Sequence, residues 1–295
     1  RFTVADKMPT MFLKKKEDLP RIFQEQQQKC GVDYFDYYLL HSLNTEHYHI
    51  AEKLGAFEFV SEMKRQGKVK QMGFSFHDTA DVLDTILTQH PEVDFVQLQI
   101  NYLDWDSEKI QSRLCYETAV RHHKPVIVME PVKGGSLAKV PQEAELLLRH
   151  ANPNASVSSW AIRYAASLDQ VMMVLSGMST VEQLEDNTGY MKDFQPLTPE
   201  EENLVEQVKG IIQDSIAIPC TGCEYCTDGC PQEIPIPQCF ARYNEYKQHP
   251  SQGLSLEGLP GGNPIDCIEC GQCESICPQH LPIISLLKQV EQAAD

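Results

Sequence analysis

The sequence predicts an α/β chain in which parallel strands, joined by crossover helices, precede a small helical region rich in cysteine. Six short apolar segments have the pattern of strands, and each is followed by a helical segment, so the connections are too long for hairpins. No Gly-x-Gly-x-x-Gly follows the first strand, which disfavours an open doubly wound sheet. We therefore expect strands three to eight of a (β/α)8 (TIM) barrel, with an N-terminal part of the barrel missing from the chain.

The predicted elements alternate along the first two thirds of the chain. The strands are Arg1–Asp6, Tyr34–Leu40, Val69–Phe74, Phe95–Gln99, Val126–Met129 and Val171–Leu175. Apolar periodicity and capping signals predict the helices Leu19–Cys30, Leu54–Gln66, one carrying Val82 to Leu87, Ser107–His123, Val157–Leu168 and one started by the capping box Ser179-x-x-Glu182. Pro20 in the first turn and Gly31 just past the end mark the first of these helices.

A second capping box, Thr198-Pro199-Glu200-Glu201, begins a helix that connects the two predicted domains. Proline at the first helical position supports this start, because its missing N–H group has no partner there in any case. The predicted boundaries are 1–197 for the barrel, 198–218 for the connecting helix and 219–295 for the cysteine-rich domain.

Eight of the eleven cysteines fall in two runs of identical spacing, offset by 47 residues. The runs are Cys220-x-x-Cys223-x-x-Cys226-x-x-x-Cys230-Pro231 and Cys267-x-x-Cys270-x-x-Cys273-x-x-x-Cys277-Pro278. Structural zinc uses pairs of C-x-x-C hooks and has no need of a third cysteine, while a disulfide framework requires an oxidising compartment. Three thiolates from one tight loop and a fourth before a proline are typical of a [4Fe–4S] cluster.

These runs resemble those of bacterial two-cluster ferredoxins over about residues 219–295. In such ferredoxins the fourth cysteine of each run ligates the other cluster. The resemblance therefore implies two [4Fe–4S] clusters, one held by Cys220, Cys223, Cys226 and Cys277 and the other by Cys267, Cys270, Cys273 and Cys230.

The net charge of −17 argues against a nucleic-acid partner and against an anionic membrane surface. Residues 219–295 hold ten acidic and three basic residues, a balance of −7, so a redox partner of this domain should carry a basic patch. No apolar run is long enough for a membrane span. Metal chemistry based on thiolates fits a reducing compartment, so we expect a cytoplasmic protein.

The residues that close the predicted strands are candidates for chemistry, because barrel enzymes act at the C-terminal ends of their strands. They include Lys7, His41, Ser75, Gln99 and Met129. The segment Asp33-Tyr34-Phe35-Asp36-Tyr37-Tyr38-Leu39-Leu40-His41-Ser42 resembles the fourth strand of the aldo/keto reductases, and Lys68–Phe76, Phe95–Asp104, Val126–Gly135 and Val174–Asn187 resemble later strands in the same order. With the cysteine-rich tail, the chain is similar to the iron–sulfur subgroup of that family.

This resemblance implies an enzyme that reduces a small carbonyl substrate with NAD(P)H, using an Asp, Tyr, Lys and His tetrad. Lys7 and His41 match the Lys and the His, while the positions of the Asp and Tyr lie upstream of Arg1, so the complete tetrad is not visible in this chain. For the nicotinamide nucleotide, the resemblance implies contacts from Ser75, Gln99, Met129, Gly177, Gln183 and Asn187. The basic residues that bind a 2′-phosphate in the family are replaced by Gly177, Met178 and Gln183, which argues against a strong preference for NADP.

Electron counting leaves the coupling between the two predicted domains open. A nicotinamide transfers two electrons as hydride, whereas each cluster transfers one. Either a flavin in a partner or another mediator divides the two electrons into single transfers, or the clusters serve a different redox partner, or they are structural. The main prediction is an oxidoreductase that joins barrel chemistry to electron transfer. The alternative is a non-enzymatic electron carrier in which an inactive barrel acts as a docking scaffold.

Overall fold

The computed structural model describes residues 2–248 and 253–294, so Arg1 and Asp295, which end the predicted domains, and residues 249–252 lie outside the described residues. The chain divides into two compact units that do not follow a single cut in the sequence. The first comprises Arg1–Pro131 and Ile162–Thr180, and the second comprises Val132–Ala161 and Val181–Asp295. The predicted domain boundaries at 197, 198 and 219 remain predictions.

The first unit is built on a parallel sheet whose strand order follows the sequence, β1-β2-β3-β4-β5-β6. The strands are β1 (Ala5–Met8), β2 (Phe35–Leu43), β3 (Val69–Phe76), β4 (Phe95–Gln99), β5 (Val126–Met129) and β6 (Val171–Val174). Each pairs with its neighbour only after a crossover that contains helix. The six strands were all predicted, and their parallel arrangement confirms the α/β class with the topology of a (β/α)8 barrel.

The helices of the first two thirds of the chain are α1 (Asp18–Cys30), α2 (Thr45–Leu54), α3 (Ala56–Arg65), α4 (Ala80–Gln89), α5 (Ser112–Arg121), α6 (Gln142–Ala151), α7 (Val157–Ala166) and α8 (Val181–Lys192). The single helix predicted over Leu54–Gln66 is wrong at its start. Gly55 takes a left-handed backbone with φ of +72°, so it ends α2 and α3 begins one residue later. Helix α6 was not predicted, and α5 begins later than expected because Gln111 has a φ of +54°.

The sheet is buried on both of its faces. The main core of the first unit packs helix residues such as Phe23, Phe57 and Leu83 against strand residues such as Tyr38 and Phe74. A separate small cluster groups Leu39, Phe95 and Ile127, which come from three different strands. Tyr38 belongs to the main core and its neighbour Leu39 belongs to the small cluster, because successive side chains of a strand point to opposite faces of the sheet.

The second unit is helical. It contains α6, α8 and part of α7, together with α9 (Pro199–Ser215), α10 (Ile236–Gln248), α11 (Gln272–Ile276) and α12 (Ile283–Ala294). The predicted capping box is present, since the Thr198 hydroxyl accepts from the Glu201 N–H at 3.2 Å and Glu201 accepts from the Thr198 N–H at 2.9 Å. Helix α9 packs against α6, and α10 packs against α12. No helix in the described ranges is long and apolar enough to cross a membrane.

Candidate functional site

Lys7 and His41 lie on the neighbouring strands β1 and β2, where Lys7 pairs in register with Leu39, two residues before His41. Both side chains are half-buried. Burial, together with the smaller effects of the Lys7 and His47 charges, lowers the pKa of His41 to about 4. Burial also lowers the pKa of Lys7, which the neighbouring Asp6 carboxylate partly offsets. The structure therefore brings the two predicted catalytic residues within electrostatic reach, with His41 neutral near pH 7.

The backbone around these two residues is held by side chains from other elements. Gln26 of α1 donates from Nε2 to the carbonyl oxygen of Lys7 at 2.7 Å, and its Oε1 accepts from the Tyr38 hydroxyl at 2.5 Å. The Thr10 hydroxyl donates to the carbonyl oxygen of His41. Ser42, which follows His41, has a left-handed φ of +57°. Contacts from several elements therefore fix the backbone at this strand end, as is common where a side chain needs one particular orientation.

Ser75 and Gln99, predicted to contact a nicotinamide, are both buried at the ends of β3 and β4. The Ser75 hydroxyl oxygen accepts from the Ser42 N–H at 2.8 Å, which ties it to the residue after His41. Gln99 donates from Nε2 to the Asp104 carboxylate at 3.1 Å. The Ser75 hydroxyl hydrogen and the side-chain Oε1 of Gln99 have no other hydrogen bond in the described part of the chain, and these are the groups a carboxamide needs.

A buried polar network surrounds Gln99, and sequence reasoning did not assign it a role. Asn101 donates from Nδ2 to Asp104 at 2.9 Å and to the carbonyl oxygen of Glu130 at 3.1 Å. The Asp104 N–H donates in return to the Asn101 side chain at 2.9 Å. This network fixes the loop after β4 and the orientation of the Gln99 amide, because Asp104 only accepts.

The remaining predicted nucleotide contacts are distributed between the two units. Met129 is half-buried at the end of β5, where its sulfur contacts Gln97 Nε2 at 3.0 Å. Gly177 is exposed after β6 in the first unit. Gln183 and Asn187 lie on α8 in the second unit, where Gln183 is exposed and Asn187 accepts from the Tyr190 hydroxyl at 2.6 Å. Their roles in nucleotide binding remain predictions.

The eight cysteines of the two runs line two separate cavities in the second unit. Cys220, Cys223, Cys226 and Cys277 line the first cavity, of about 330 Å3, part of which is open to solvent. Cys230, Cys267, Cys270 and Cys273 line the second, of about 340 Å3 and similarly open. Each cavity thus receives three cysteines from one run and the fourth from the other.

The thiols of the first cavity interact strongly with one another. Burial raises the pKa of Cys226 to about 12, with smaller contributions from Cys220, Cys223 and Cys277 because neighbouring thiolates would repel. Metal binding removes this penalty, since the bound cation makes the thiolate form the stable one. The donor set of four soft sulfur ligands therefore fits an iron–sulfur cluster.

No three His, Cys, Asp or Glu side chains in residues 2–248 and 253–294 are arranged to hold one metal ion. The four cysteines of each set line one cavity each.

Three cysteines lie outside these cavities. The place of Cys30 late in a predicted helix indicates a buried thiol, but the structure shows Cys30 exposed at the end of α1. Cys115 and Cys239 are buried, and burial raises the pKa of Cys115 to about 12 and that of Cys239 to about 11. Both buried thiols are therefore protonated at neutral pH, and neither of them lines either of the two cavities.

The fold and these two sites define a barrel protein of the α/β class joined to a domain with iron–sulfur ligand sets. The family model described as "Aldo/keto reductase family" matches residues 1–209, and the model described as "4Fe-4S dicluster domain" matches residues 219–281. The chain belongs to the aldo/keto reductase family, whose members are oxidoreductases, and it carries an iron–sulfur domain. No curated protein sequence matches it.

Several solved structures share the fold of the first part. The holo form of aldo-keto reductase AKR11C1 from Bacillus halodurans aligns with a TM-score of 0.56 and 19% identity, covering 70% of this chain and 72% of that one. An aldo/keto reductase from Klebsiella pneumoniae in complex with NADP and acetate gives 0.56 and 16%, covering 70% of each chain. An aldo/keto reductase from Brucella melitensis gives 0.53 and 18%, covering 70% and 73%. At these identities the likeness shows the fold.

Proposed function

We propose that the protein is an oxidoreductase that reduces a small carbonyl compound at Lys7 and His41 and transfers electrons through two [4Fe–4S] clusters. The observation that carries the proposal is the division of the eight cysteines into two cavities with four sulfurs each. Membership of the aldo/keto reductase family supports the carbonyl chemistry.

One cluster is bound by Cys220, Cys223, Cys226 and Cys277, and the other by Cys230, Cys267, Cys270 and Cys273. The shared cavities support this exchange of the fourth ligand, because Cys277 lines the cavity of the first run and Cys230 lines that of the second. Each cluster then ties the two repeats of the domain together, so that loss of one cysteine weakens both halves of the fold.

At the strand ends, His41 acts as a neutral hydrogen-bond donor to the carbonyl oxygen of the substrate, because its lowered pKa keeps the ring uncharged near pH 7. The Lys7 ammonium stabilises the negative charge that develops on that oxygen, and its partial burial strengthens the interaction. The Ser75 hydroxyl and the side-chain amide oxygen of Gln99 would hold the carboxamide of the nicotinamide. When bound, NAD(P)H would supply the hydride, and the proton that completes the alcohol would come from the Tyr of the family's tetrad, whose position lies upstream of Arg1.

The distribution of charged residues indicates which redox partner and which nucleotide the protein would bind. The acidic balance of residues 219–295 favours a redox partner with a basic patch, and the clusters pass single electrons to it or receive them from it. The absence of a cation at Gly177, Met178 and Gln183 argues against a strong preference for NADPH, since a 2′-phosphate needs a cation to offset its desolvation.

Iron analysis of oxygen-free preparations tests the ligand sets. The unsubstituted protein should contain about eight iron atoms, and Cys223→Ala or Cys277→Ala should each lower this to about four. Combining these two substitutions should cost no further iron, because both remove ligands of the same cluster. Combining Cys277→Ala with Cys270→Ala should remove nearly all of it. Cys239→Ala, which removes a buried thiol outside both cavities, is the matched control and should keep the full content.

Calorimetry with NADH and NADPH, together with carbonyl reduction assays, tests the barrel site. Lys7→Met and His41→Asn should lower kcat by about 10²-fold or more while nucleotide binding persists. Full iron content without nucleotide binding or carbonyl reduction would instead support the electron carrier with an inactive barrel.

A further inference from the structure

The loop after β5 contacts the segment that carries the first cysteine run, within the second unit. Lys133, Gly134 and Gly135 have left-handed φ angles of +48°, +58° and +91° in succession. A Cβ atom on Gly134 would lie 2.3 Å from the carbonyl oxygen of Thr221, the residue after Cys220. The close approach therefore requires glycine, and it holds this loop against one of the two ligand sets.

Lys133 is almost completely buried, with 2% of its surface exposed. Its ammonium donates to Oε1 of Gln279 at 2.8 Å. A buried lysine is uncommon in proteins and costs desolvation free energy, which makes its position informative.

Gln279 connects this lysine to the first cavity, which it lines together with Cys277. An ammonium can only donate a hydrogen bond, so the atom of the Gln279 amide that contacts Lys133 must be the oxygen. The amide nitrogen therefore points away from Lys133. That nitrogen is buried and has no hydrogen-bond partner among the described residues. The sulfur atoms of a cluster in the cavity are the acceptors that would satisfy it.

The second cavity lacks a matching arrangement, although the two runs are repeats. Gln232 holds the position in the first run that Gln279 holds in the second, and it lines the second cavity, but it is only half-buried. Within the described residues no lysine donates to its side chain. Lys288, whose charge is felt by Cys267, is exposed and forms an ion pair with Glu269 at 2.8 Å.

We propose that Lys133 and Gln279 form a redox-tuning pair that raises the reduction potential of the cluster held by Cys220, Cys223, Cys226 and Cys277 above that of the other cluster. This inference rests on the proposed two-cluster function. Reduction adds one electron and one negative charge to the cluster, and no proton is transferred. A buried ammonium and an N–H donor stabilise that more negative state.

The ammonium also polarises the amide, so the two groups act together. Donation to the oxygen of Gln279 strengthens its N–H as a donor, because linked hydrogen bonds reinforce one another. In the protein reduced by one electron, this electron then resides mainly on the cluster next to Lys133. We expect a preference on the order of tenfold or more, which corresponds to about 59 mV for one electron.

Redox titration by electron paramagnetic resonance, under exclusion of oxygen and with dithionite as the reductant, tests this inference. The unsubstituted protein should show two midpoint potentials. Lys133→Met and Gln279→Leu should each lower only the higher one, by about 59 mV, a tenfold change in the equilibrium constant. Gln232→Leu and Lys288→Met are the matched controls, and they should leave the higher midpoint in place.

Iron content is measured first on every variant, so that the two proposals fail separately. About eight irons per chain with one shared midpoint, or with a higher midpoint that neither substitution moves, overturns the redox-tuning pair and leaves the two-cluster function intact. A content well below eight in the unsubstituted protein refutes the two-cluster function and the inference with it. If Gln279→Leu loses iron, Gln279→Glu is the second variant, and it should lower the same midpoint by adding negative charge.

Discussion

Protonation of His41 should destabilise the folded protein as the pH falls. The pKa of this residue is about 4 in the folded state, mainly through burial, compared with 6.5 for a free imidazole. Below pH 6.5 the unfolded chain therefore binds a proton that the folded chain does not bind, and unfolding becomes more favourable. This contribution to stability is fully present above pH 6.5 and is lost between pH 6.5 and about 4.

The size of this effect follows from the shift. At about pH 5.5, one pH unit below the unfolded value and still above the folded one, the loss is about 1.4 kcal/mol relative to pH 7.5. Partial exposure of the ring reduces it to about 1 kcal/mol. We expect His41→Asn to abolish this part of the pH dependence, since the variant has no imidazole at this position.

Urea unfolding at about pH 7.5 and 5.5 measures the effect, compared between the unsubstituted protein and His41→Asn. Other titrating groups contribute equally to both proteins and cancel in the difference. His49→Asn, which removes an exposed histidine of α2, is the matched control. An equal loss of stability with and without His41 would show that this ring is protonated as readily in the folded state, and the role of a neutral donor would fail.

Three further substitutions test the packing around the sites. Gly134→Ala should destabilise the second unit by about 2–4 kcal/mol in a urea titration, because of the left-handed φ and the contact with Thr221. Gly258→Ala is the control, since this residue has a φ of +78° but no atom within 4 Å of the new Cβ. It should cost only about 1–2 kcal/mol in the same titration. Thr198→Ala removes the cap of α9 and should cost about 1 kcal/mol, with Thr198→Ser restoring most of it, as followed by circular dichroism. Phe240→Ala empties a fully buried position beside the first cavity and should cost about 3–5 kcal/mol, seen as faster loss of cluster absorbance in urea; an unchanged rate would show that this core does not support the cluster.

Most strands could be predicted from the sequence because they are compact runs of apolar residues between turn signals. Strand β1 is the exception, since it contains Asp6 and Lys7 and runs over Ala5–Met8 rather than the predicted Arg1–Asp6. The helices were harder where the buried stripe is narrow. Helix α2 buries only Tyr48, Ala51 and Leu54, and the rest of it is polar or charged. Helix α6 buries only Ala144 and Leu148, so its periodicity is weak in the sequence.

The candidate site was predicted unevenly for a related reason. The two cysteine runs follow from a repeated local spacing, which a single sequence displays directly, and their division into ligand sets follows from the resemblance to two-cluster ferredoxins. The contact between Lys133 and Gln279 joins residues 146 positions apart, and neither lies in a pattern that marks it. Burial of Lys133 depends on three successive left-handed residues in its loop, and backbone conformation of that kind is decided by the tertiary structure.

The unequal exposure of the three remaining thiols has a practical consequence. In the proposed two-cluster protein the other eight cysteines would be bound to iron, and Cys115 and Cys239 are buried, so Cys30 would be the one sulfhydryl of residues 1–295 that a maleimide dye or nitroxide label can reach. Its sulfur lies 4.0 Å from a carboxylate oxygen of Asp6, the residue before Lys7. Residues 1–295 would then carry a single built-in attachment point for spectroscopy beside strand β1, and none of their cysteines would have to be removed to use it.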